Sequence, residues 1–453
     1  MSGVVKPAGA AEVRRFKPYP AYKDSGVDWL GQIPAHWDVR RLKYLATLNP
    51  ESLGEDTDSA REMVYVDIGG VDNLGHIVET DQLTFASAPS RARRLVRDGD
   101  IIVSTVRTYL RAIAPIRDPD PDMVVSTGFA VVRPAHALTT EYVAYALRAP
   151  YFIERVVANS KGVSFPAINE SEIATYDLGL PPESEQRVIA SFLDRETAKI
   201  DALVKRKEKV IRLLQEKRSA LISLAVTKGL DPNAPTKDSG VEWLGSIPAH
   251  WEVKRLKQVV PQITVGIVVT PAKYYVEVGI PCLRSFNIAQ GHISMKDLVF
   301  ISPSSNELHR KSQIFEGDLV VVRTGRAGTA AVVPPALSGA NCIDLLIIRR
   351  SSYLSSQYLY YYINSRATLA QVEAYSVGAI QEHYNTATLS SLYVPKLPLR
   401  EQQAIVKYLD NETAKIDILI TRVSEAIKHL IELRNALISA AITGKIDVRE
   451  EPA

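Results

Sequence analysis

Arg107, Tyr109 and Arg111 stand at alternate positions just after the apolar run IIVSTV, and Arg323, Thr324 and Arg326 follow the run LVVV. An arginine fork offers two parallel N–H donors that match a guanine edge or a phosphate, and a loop on a rigid sheet places such forks in a major groove. Ahead of the first set lies RARRLVR, with Arg91, Arg93, Arg94 and Arg97; ahead of the second lie Arg310 and Lys311. Each cluster taken singly is what any solvated face carries. Their recurrence at matching places makes Arg91, Arg93, Arg94, Arg107, Tyr109, Arg111, Arg310, Lys311, Arg323, Thr324 and Arg326 the candidate DNA-binding residues.

Other chemistries lack their residues. GRAGTAAV from Gly325 has no Gly-Lys-Ser/Thr to cradle a phosphate, and VDIGGVDNLG from Val66 lacks G-x-G-x-x-G spacing. There is no H-E-x-x-H, G-x-S-x-G or Cys-x-x-Cys, and Asn49-Pro50 is not followed by the proline and aromatic of an adenine methyltransferase. Asp118, Asp120 and Asp122 of RDPDPD have no nearby Glu-x-Lys and read as a turn. No catalytic and no metal-binding residue is assigned. His36 and His250 precede Trp37 and Trp251, but no acid stands at ligand spacing, so packing or partner contact is expected of them.

The elements that carry the basic loops come in two copies. DSGVDWLGQIPAHWDVRRLK, from Asp24, returns from Asp238 as DSGVEWLGSIPAHWEVKRLK, with 16 of 20 positions identical. PESEQRVIASFLDRETAKID from Pro182 is answered by PLREQQAIVKYLDNETAKID from Pro398, and EKRSALISLAVT from Glu216 by ELRNALISAAIT from Glu432. Each half therefore runs from the WLG-IP-AHW string through a divergent stretch to a long shared segment. Both divergent stretches hold a Gly-Asp turn feeding an apolar strand, DGDIIVSTV and EGDLVVVRTG, with helical patterns in YVAYALRAPYFIERVV and YLYYYINSRATLAQVEAY.

The shared segments read as long helices. Ile405, Leu409, Glu412, Ile416, Leu419, Val423, Ala426, Leu430, Leu433, Leu437 and Ala440 recur at steps of three and four, and the first copy matches in phase from Ile189 to Leu224 with Lys207 and Lys217 interrupting. Proline then acid at the start, and Gly229 or Gly444 at the end, suit helix boundaries. Helices so long cannot bury an apolar stripe in one small domain, so the expectation is that they pair with each other as an antiparallel coiled coil; separate amphipathic helices on separate globules are the alternative. The fold class expected is α+β: two similar mixed α/β domains separated by two long helices. Boundaries fall at 1–21 (flexible leader), 22–181 (first recognition domain), 182–230 (first helix), 231–397 (second recognition domain), 398–447 (second helix) and 448–453 (tail).

Composition sets the remaining bounds. The 453 residues are 46% hydrophobic with a formal net charge of +3, so a folded chain is expected whose contacts with an anionic polymer rest on local patches. Cys282 and Cys342 are too few for a disulfide framework or a cysteine zinc site and suit a reducing cytoplasm. The opening MSGVVKPAGAAEVRRFKPYP has no apolar core run, so neither a signal peptide nor a membrane span is expected there.

The paired strings KDSGVDWLGQIPAHWDVRRLK and KDSGVEWLGSIPAHWEVKRLK, the LPPESEQ and LPLREQQ turns into ETAKID helices, and the doubled layout resemble the DNA-specificity subunit of type I restriction-modification systems, over roughly Tyr22 to Asp447. The resemblance implies two target-recognition domains, each reading one half of a split asymmetric site on double-stranded DNA, held apart by the helices. It implies a non-catalytic chain that assembles with two methyltransferase subunits and two motor-nuclease subunits, S-adenosylmethionine, ATP and Mg2+ being used on those subunits and no cofactor bound by this one. Two identical partners need two similar docking surfaces, so Trp29, His36, Trp37, Trp243, His250 and Trp251 of the repeated strings are the expected docking residues. The competing expectation is a duplicated coiled-coil adaptor whose basic patches are merely solvated.

Overall fold

The computed structural model describes residues 16–135, 138–375 and 384–450. The chain forms two compact units, Met1–Arg206 with Glu425–Ala453, and Lys207–Ser424. Unit 1 is thus built from both ends of the chain and unit 2 from one continuous stretch.

In unit 1 an antiparallel sheet runs in the order Ala46–Leu48, Phe129–Pro134, Ile101–Ser104, Ile113–Pro115. Ile101–Ser104 follows the Gly-Asp turn, with Gly99 at φ +86. Asp100 accepts the Arg97 amide at 2.8 Å and two Arg133 donors at 2.7 Å, so this buried carboxylate is paired as burial requires. Unit 2 repeats the device. Its sheet runs Ile263–Val265, Leu345–Ile348, Leu319–Val322, Ala330–Val332, and Asp318 accepts the Phe315 amide at 3.0 Å and Arg349 at 2.6 Å. In both, alternate residues of the buried strand enter different clusters: Ile101 and Val103 against Ile102, Leu319 and Val321 against Val320 and Val322.

A second sheet in each unit contains a parallel pair, Met123–Ser126 with Glu62–Val66 and Ile280–Leu283 with Asn341–Cys342. Here the units differ. Unit 1 adds Ala92–Leu95, from the arginine-rich run, beside Met123–Ser126, whereas unit 2 adds Tyr275–Val276 at the opposite edge, beside Val299–Ile301. Each helical pattern after the sheets is two helices rather than one. Pro150 divides Thr140–Arg148 from Pro150–Asn159, and Ser356–Ile363 is followed by Arg366–Tyr375.

The long helices run Glu183–Lys228 and Leu399–Ile442, and the glycines just beyond them, Gly229 and Gly444, adopt φ of +75 and +68, the left-handed turn that ends a helix. Unit 1 packs the start of the first against the end of the second, with Ile189, Phe192 and Leu193 in one core with Ile438, Ala441 and Ile442. Unit 2 does the converse, with Ile222, Ala225 and Val226 in one core with Ile405 and Leu409. Within each unit the helix segments are therefore antiparallel. The contact stripe departs from the expected one: Leu203, Val210, Leu224, Leu419 and Leu433 are 43–59% exposed, while Ala225 and Arg434 are buried and Val204, Ile211, Arg218 and Ile420 half-buried. A helix of 3.6 residues per turn drifts ~20° per heptad against a strict 3.5 repeat, so toward the far ends the facing residue is the next one along.

The leader also ends earlier than residue 21. Phe16 packs edge-on against Phe192 at 5.4 Å, Lys17 pairs with Asp447, and Tyr19 is buried. The expected second helix gives way at Ile442 to a turn whose Asp447 holds that N-terminal segment, its main-chain amide donating to the Lys17 carbonyl at 2.8 Å. Residues 1–15 of the leader and 451–453 of the tail lie outside the described residues.

Candidate nucleic-acid interface

Pro182 and Pro398 stand just ahead of the long helices, so Glu185 and Glu401 fall in the first turns, where a carboxylate meets the positive end of the helix dipole. Glu185 accepts from the Tyr19 hydroxyl at 2.6 Å and the Trp37 indole Nε1 at 2.9 Å, and lies 2.7 Å from His36 Nε2. Burial foremost, and then the Glu185 carboxylate, push the Tyr19 hydroxyl far above its ordinary pKa. In unit 2 Glu401 accepts from Trp251 Nε1 at 3.0 Å and lies 2.8 Å from His250 Nε2.

This revises the docking set. Trp37 and Trp251 are fully buried and clamp a helix start inside their own unit, so neither is available on a surface. Trp29 and Trp243 are half-buried, and His36 and His250 keep an exposed face. Trp29 stacks on Tyr151 at 4.3 Å. The acids were invisible as partners because they lie 149 and 151 residues away in sequence; the Glu-Gln pair shared by ESEQ and REQQ was the available signal.

At the far end of the unit 1 sheet, Arg107 and Arg111 bracket the short turn Thr108–Leu110, both left-handed at φ +54 and +55. Left-handed non-glycine residues cost ~1–2 kcal/mol each and persist where the surroundings enforce them. Here the Thr108 and Ser160 hydroxyls meet at 2.8 Å and the Arg107 amide donates to the Pro166 carbonyl at 2.8 Å. Tyr109 is 53% exposed. A cleft of about 400 Å³ opens beside this turn, lined by Asp67, Arg91, Arg107, Thr127, Gly128 and Phe165 among others.

The basic run ahead of the turn is divided by the fold. Arg91 joins Arg107 at the cleft, bonded to Asp67 at 3.0 Å and to the Tyr65 hydroxyl at 3.2 Å. Arg93 and Arg94 lie on a paired strand, Arg93 over the Phe85 ring at 4.4 Å and Arg94 4.0 Å from Glu170. They are half-buried and serve packing, which a basic run read without its strand pairing does not disclose.

In unit 2 Arg323 and Thr324 both grip Asp344, at 3.0 and 3.1 Å, and Arg326 is exposed in a tight turn between Gly325 and Gly328. Gly328 is obligatory: besides φ +85, a Cβ there would meet the Tyr384 ring at 2.9 Å. Arg310 and Lys311 line a separate groove of about 940 Å³ with Val268 and Val269. Sequence reasoning missed Asp67, Phe165 and Asp344, whose roles arise only from the crossing of loops. Among the described residues no cluster of His, Cys, Asp and Glu could hold a metal ion, and no helix is long and apolar enough to cross a membrane.

Comparison with known proteins bears on both units. The family model of the type I restriction modification DNA specificity domain matches residues 34–212 and again 248–429. The chain belongs to that family. Its relatives include the type I restriction enzyme MjaVIII specificity subunit of Methanocaldococcus jannaschii, 24% identical over 64% of this chain and 67% of the relative. The EcoKI specificity subunit of Escherichia coli is 22% identical over 70% of this chain and 68% of the relative. A solved chain, from a structure described as the structural basis underlying complex assembly and conformational transition of the type I R-M system, is 25% identical with a TM-score of 0.64, covering 91% of this chain and 99% of that one. This specificity subunit is thus a DNA-recognition component of a type I restriction-modification complex, and the adaptor alternative is not favoured.

Proposed function

We propose that each unit of this specificity subunit reads one half of a bipartite asymmetric DNA site, that the long helices set the gap between the halves, and that the chain itself transfers no methyl group and cuts no strand. The observation that carries this reading is that the scaffold recurs while the reading ends do not. Glu185 and Glu401 hold equivalent Trp-His pairs, and Asp100 and Asp318 hold equivalent Gly-Asp turns, yet the loops beyond present Arg107, Tyr109 and Arg111 in one unit and Arg323, Thr324 and Arg326 in the other. Equal scaffolds suit two copies of one partner and unequal loops suit an asymmetric target.

The partners are two methyltransferase subunits and two motor-nuclease subunits in the cytoplasm, with S-adenosylmethionine, ATP and Mg2+ bound on those subunits. Their docking draws on the exposed faces of His36, His250, Trp29 and Trp243, and on apolar helix residues left in solvent such as Leu203, Leu213, Leu419 and Leu433. Mapping genomic methylation in cells carrying this chain and its methyltransferase partner tests the reading: a split target is expected, and replacing Tyr44–Leu180 by the matching region of a relative should change one half of it. A change in both halves, or a continuous target, overturns the two-reader account.

A further inference from the structure

The loop from Lys161 to Ala167 carries an apolar tip that packing does not use. Phe165 is 59% exposed and Val163 is fully exposed. The tip is nonetheless fixed, because Lys161 and Ala167 exchange both backbone hydrogen bonds, at 2.8 and 2.9 Å, and Ala167 also pairs with Val106. Phe165 stands beside Arg107, whose guanidinium lies 5.0 Å from the ring centroid. Ring and guanidinium are in contact, so a duplex edge that meets one lies within reach of the other. Around them stand Lys161 and Arg111, exposed cations that suit the flanking phosphates.

In the major groove the apolar feature available to a phenylalanine is the thymine 5-methyl group, as the guanine O6/N7 edge is the feature available to an arginine fork. We propose that Phe165 is a specificity-determining residue of unit 1, contacting the 5-methyl group of a thymine that neighbours a guanine engaged by Arg107. The proposal rests on the DNA-recognition reading above and adds to it a residue, a base and the atom read. A ring left in water on a rigid loop costs solvation that burial against a methyl group recovers, about fourfold in affinity for one buried carbon.

The test uses the full chain assembled with its partner subunits, on duplexes carrying the mapped target. Each thymine of the half-site read by unit 1 is replaced in turn by deoxyuridine, which removes the 5-methyl group and nothing else. At one position the wild-type complex should bind about fourfold more weakly. Phe165→Ala should lose about the same factor with thymine present and be indifferent to uracil at that position, and Phe165→Leu should keep part of the sensitivity, which guards against a misfolded alanine variant. Affinity that still depends on that methyl group in Phe165→Ala, uracil indifference of the wild type at every position, or a half-site without thymine overturns the assignment. A wild-type complex with no preference for any sequence removes the DNA-recognition reading itself, which separates the two failures.

Discussion

Arg434 donates from Nε to Asp201 Oδ1 across 3.0 Å, joining the end of the second long helix to the first inside unit 1. Unit 2 contains the corresponding bond with the helices exchanged, from Arg218 to Asp417 at 3.1 Å. The two differ in burial: the side chains are 7% and 17% exposed in the first pair, 17% and 53% in the second. Removing one partner of a buried pair strands the other charge, at a cost of ~3–5 kcal/mol, whereas an exposed pair is worth ~0–1 kcal/mol. Arg434→Ala should therefore destabilise unit 1 by about 3 kcal/mol and Arg218→Ala unit 2 by about 1 kcal/mol or less. Hydrogen exchange resolved by unit measures both, and equal losses would show that burial does not set the difference.

Glu185 gathers three partners where Glu401 gathers two. A glutamine at 185 keeps one acceptor oxygen and turns an amide donor toward donors, leaving buried groups unmatched at ~1–3 kcal/mol. Glu185→Gln should lower the stability of unit 1 by about 2 kcal/mol, and Glu401→Gln that of unit 2 by less, since the Glu401 side chain is 28% exposed against 6% for Glu185. Denaturant unfolding followed by Trp37 and Trp251 fluorescence tests the order of the two losses.

Alkaline pH separates another buried group. The Tyr145 hydroxyl donates to Asp194 at 2.7 Å, and burial foremost, with Asp194 adding and Thr197 opposing, pushes its pKa up to about 12. An unfolded tyrosine titrates near ~10, so the folded value is the higher one and the stabilisation is complete below pH ~10 and lost as pH rises toward ~12. Burial and Asp410 raise Tyr361 in unit 2 as well. Tyr145→Phe should flatten the fall in unit 1 stability across that window; an unchanged slope would place the alkaline loss elsewhere.

The tandem duplication, the long helices and the Gly-Asp strands were legible in the sequence because each depends on a local pattern: repeated strings, a 3.5-residue period, a turn before an apolar run. The helix contact stripe was legible only in the opening turns of each helix, where Ile189, Leu193, Ile405 and Leu409 are buried, since accumulated drift exposes Leu203 and Leu433 and turns Arg218 and Arg434 inward. The site was read less completely. Arg107, Tyr109 and Arg111 do stand on an exposed turn, but Arg93 and Arg94 are claimed by a strand, and Trp37 and Trp251 by glutamates whose approach depends on tertiary folding.

Arg107 and Arg323 differ in freedom, the first lying against Phe165 and the second bonded to Asp344. If Arg107 forks onto a base, Arg107→Ala should weaken binding by ~1–3 kcal/mol and relax one position of one half-site. Arg323→Ala should act on the other half-site only. Quantitative binding across a panel of single-base variants checks both; unchanged affinity and preference in either variant would remove that residue from the interface.

The spacing role of the helices is tested by lengthening both, because each unit contains a segment of each. Seven residues inserted after Lys207 and seven after Val423 keep the heptad phase and add ~10 Å of helix. At ~3.4 Å per base pair the gap should grow by about one to three pairs between unchanged half-sites. An active variant whose methylated target retains its original gap would show that the spacing is set elsewhere.

The division of the chain has a consequence for its synthesis. Unit 2, Lys207–Ser424, is complete once its own last residue has left the ribosome. Unit 1 is translated first but finishes last: Trp37 and Ile33 share their core with Ile438, Ala441, Ile442 and Val448, and Tyr22 donates to the Gly444 carbonyl. The opening half of the message therefore yields a domain that waits, with an uncovered apolar face, for the codons that specify Ile438 to Val448, and a frameshift just ahead of those codons disables the unit whose other core residues were translated some hundreds of codons earlier.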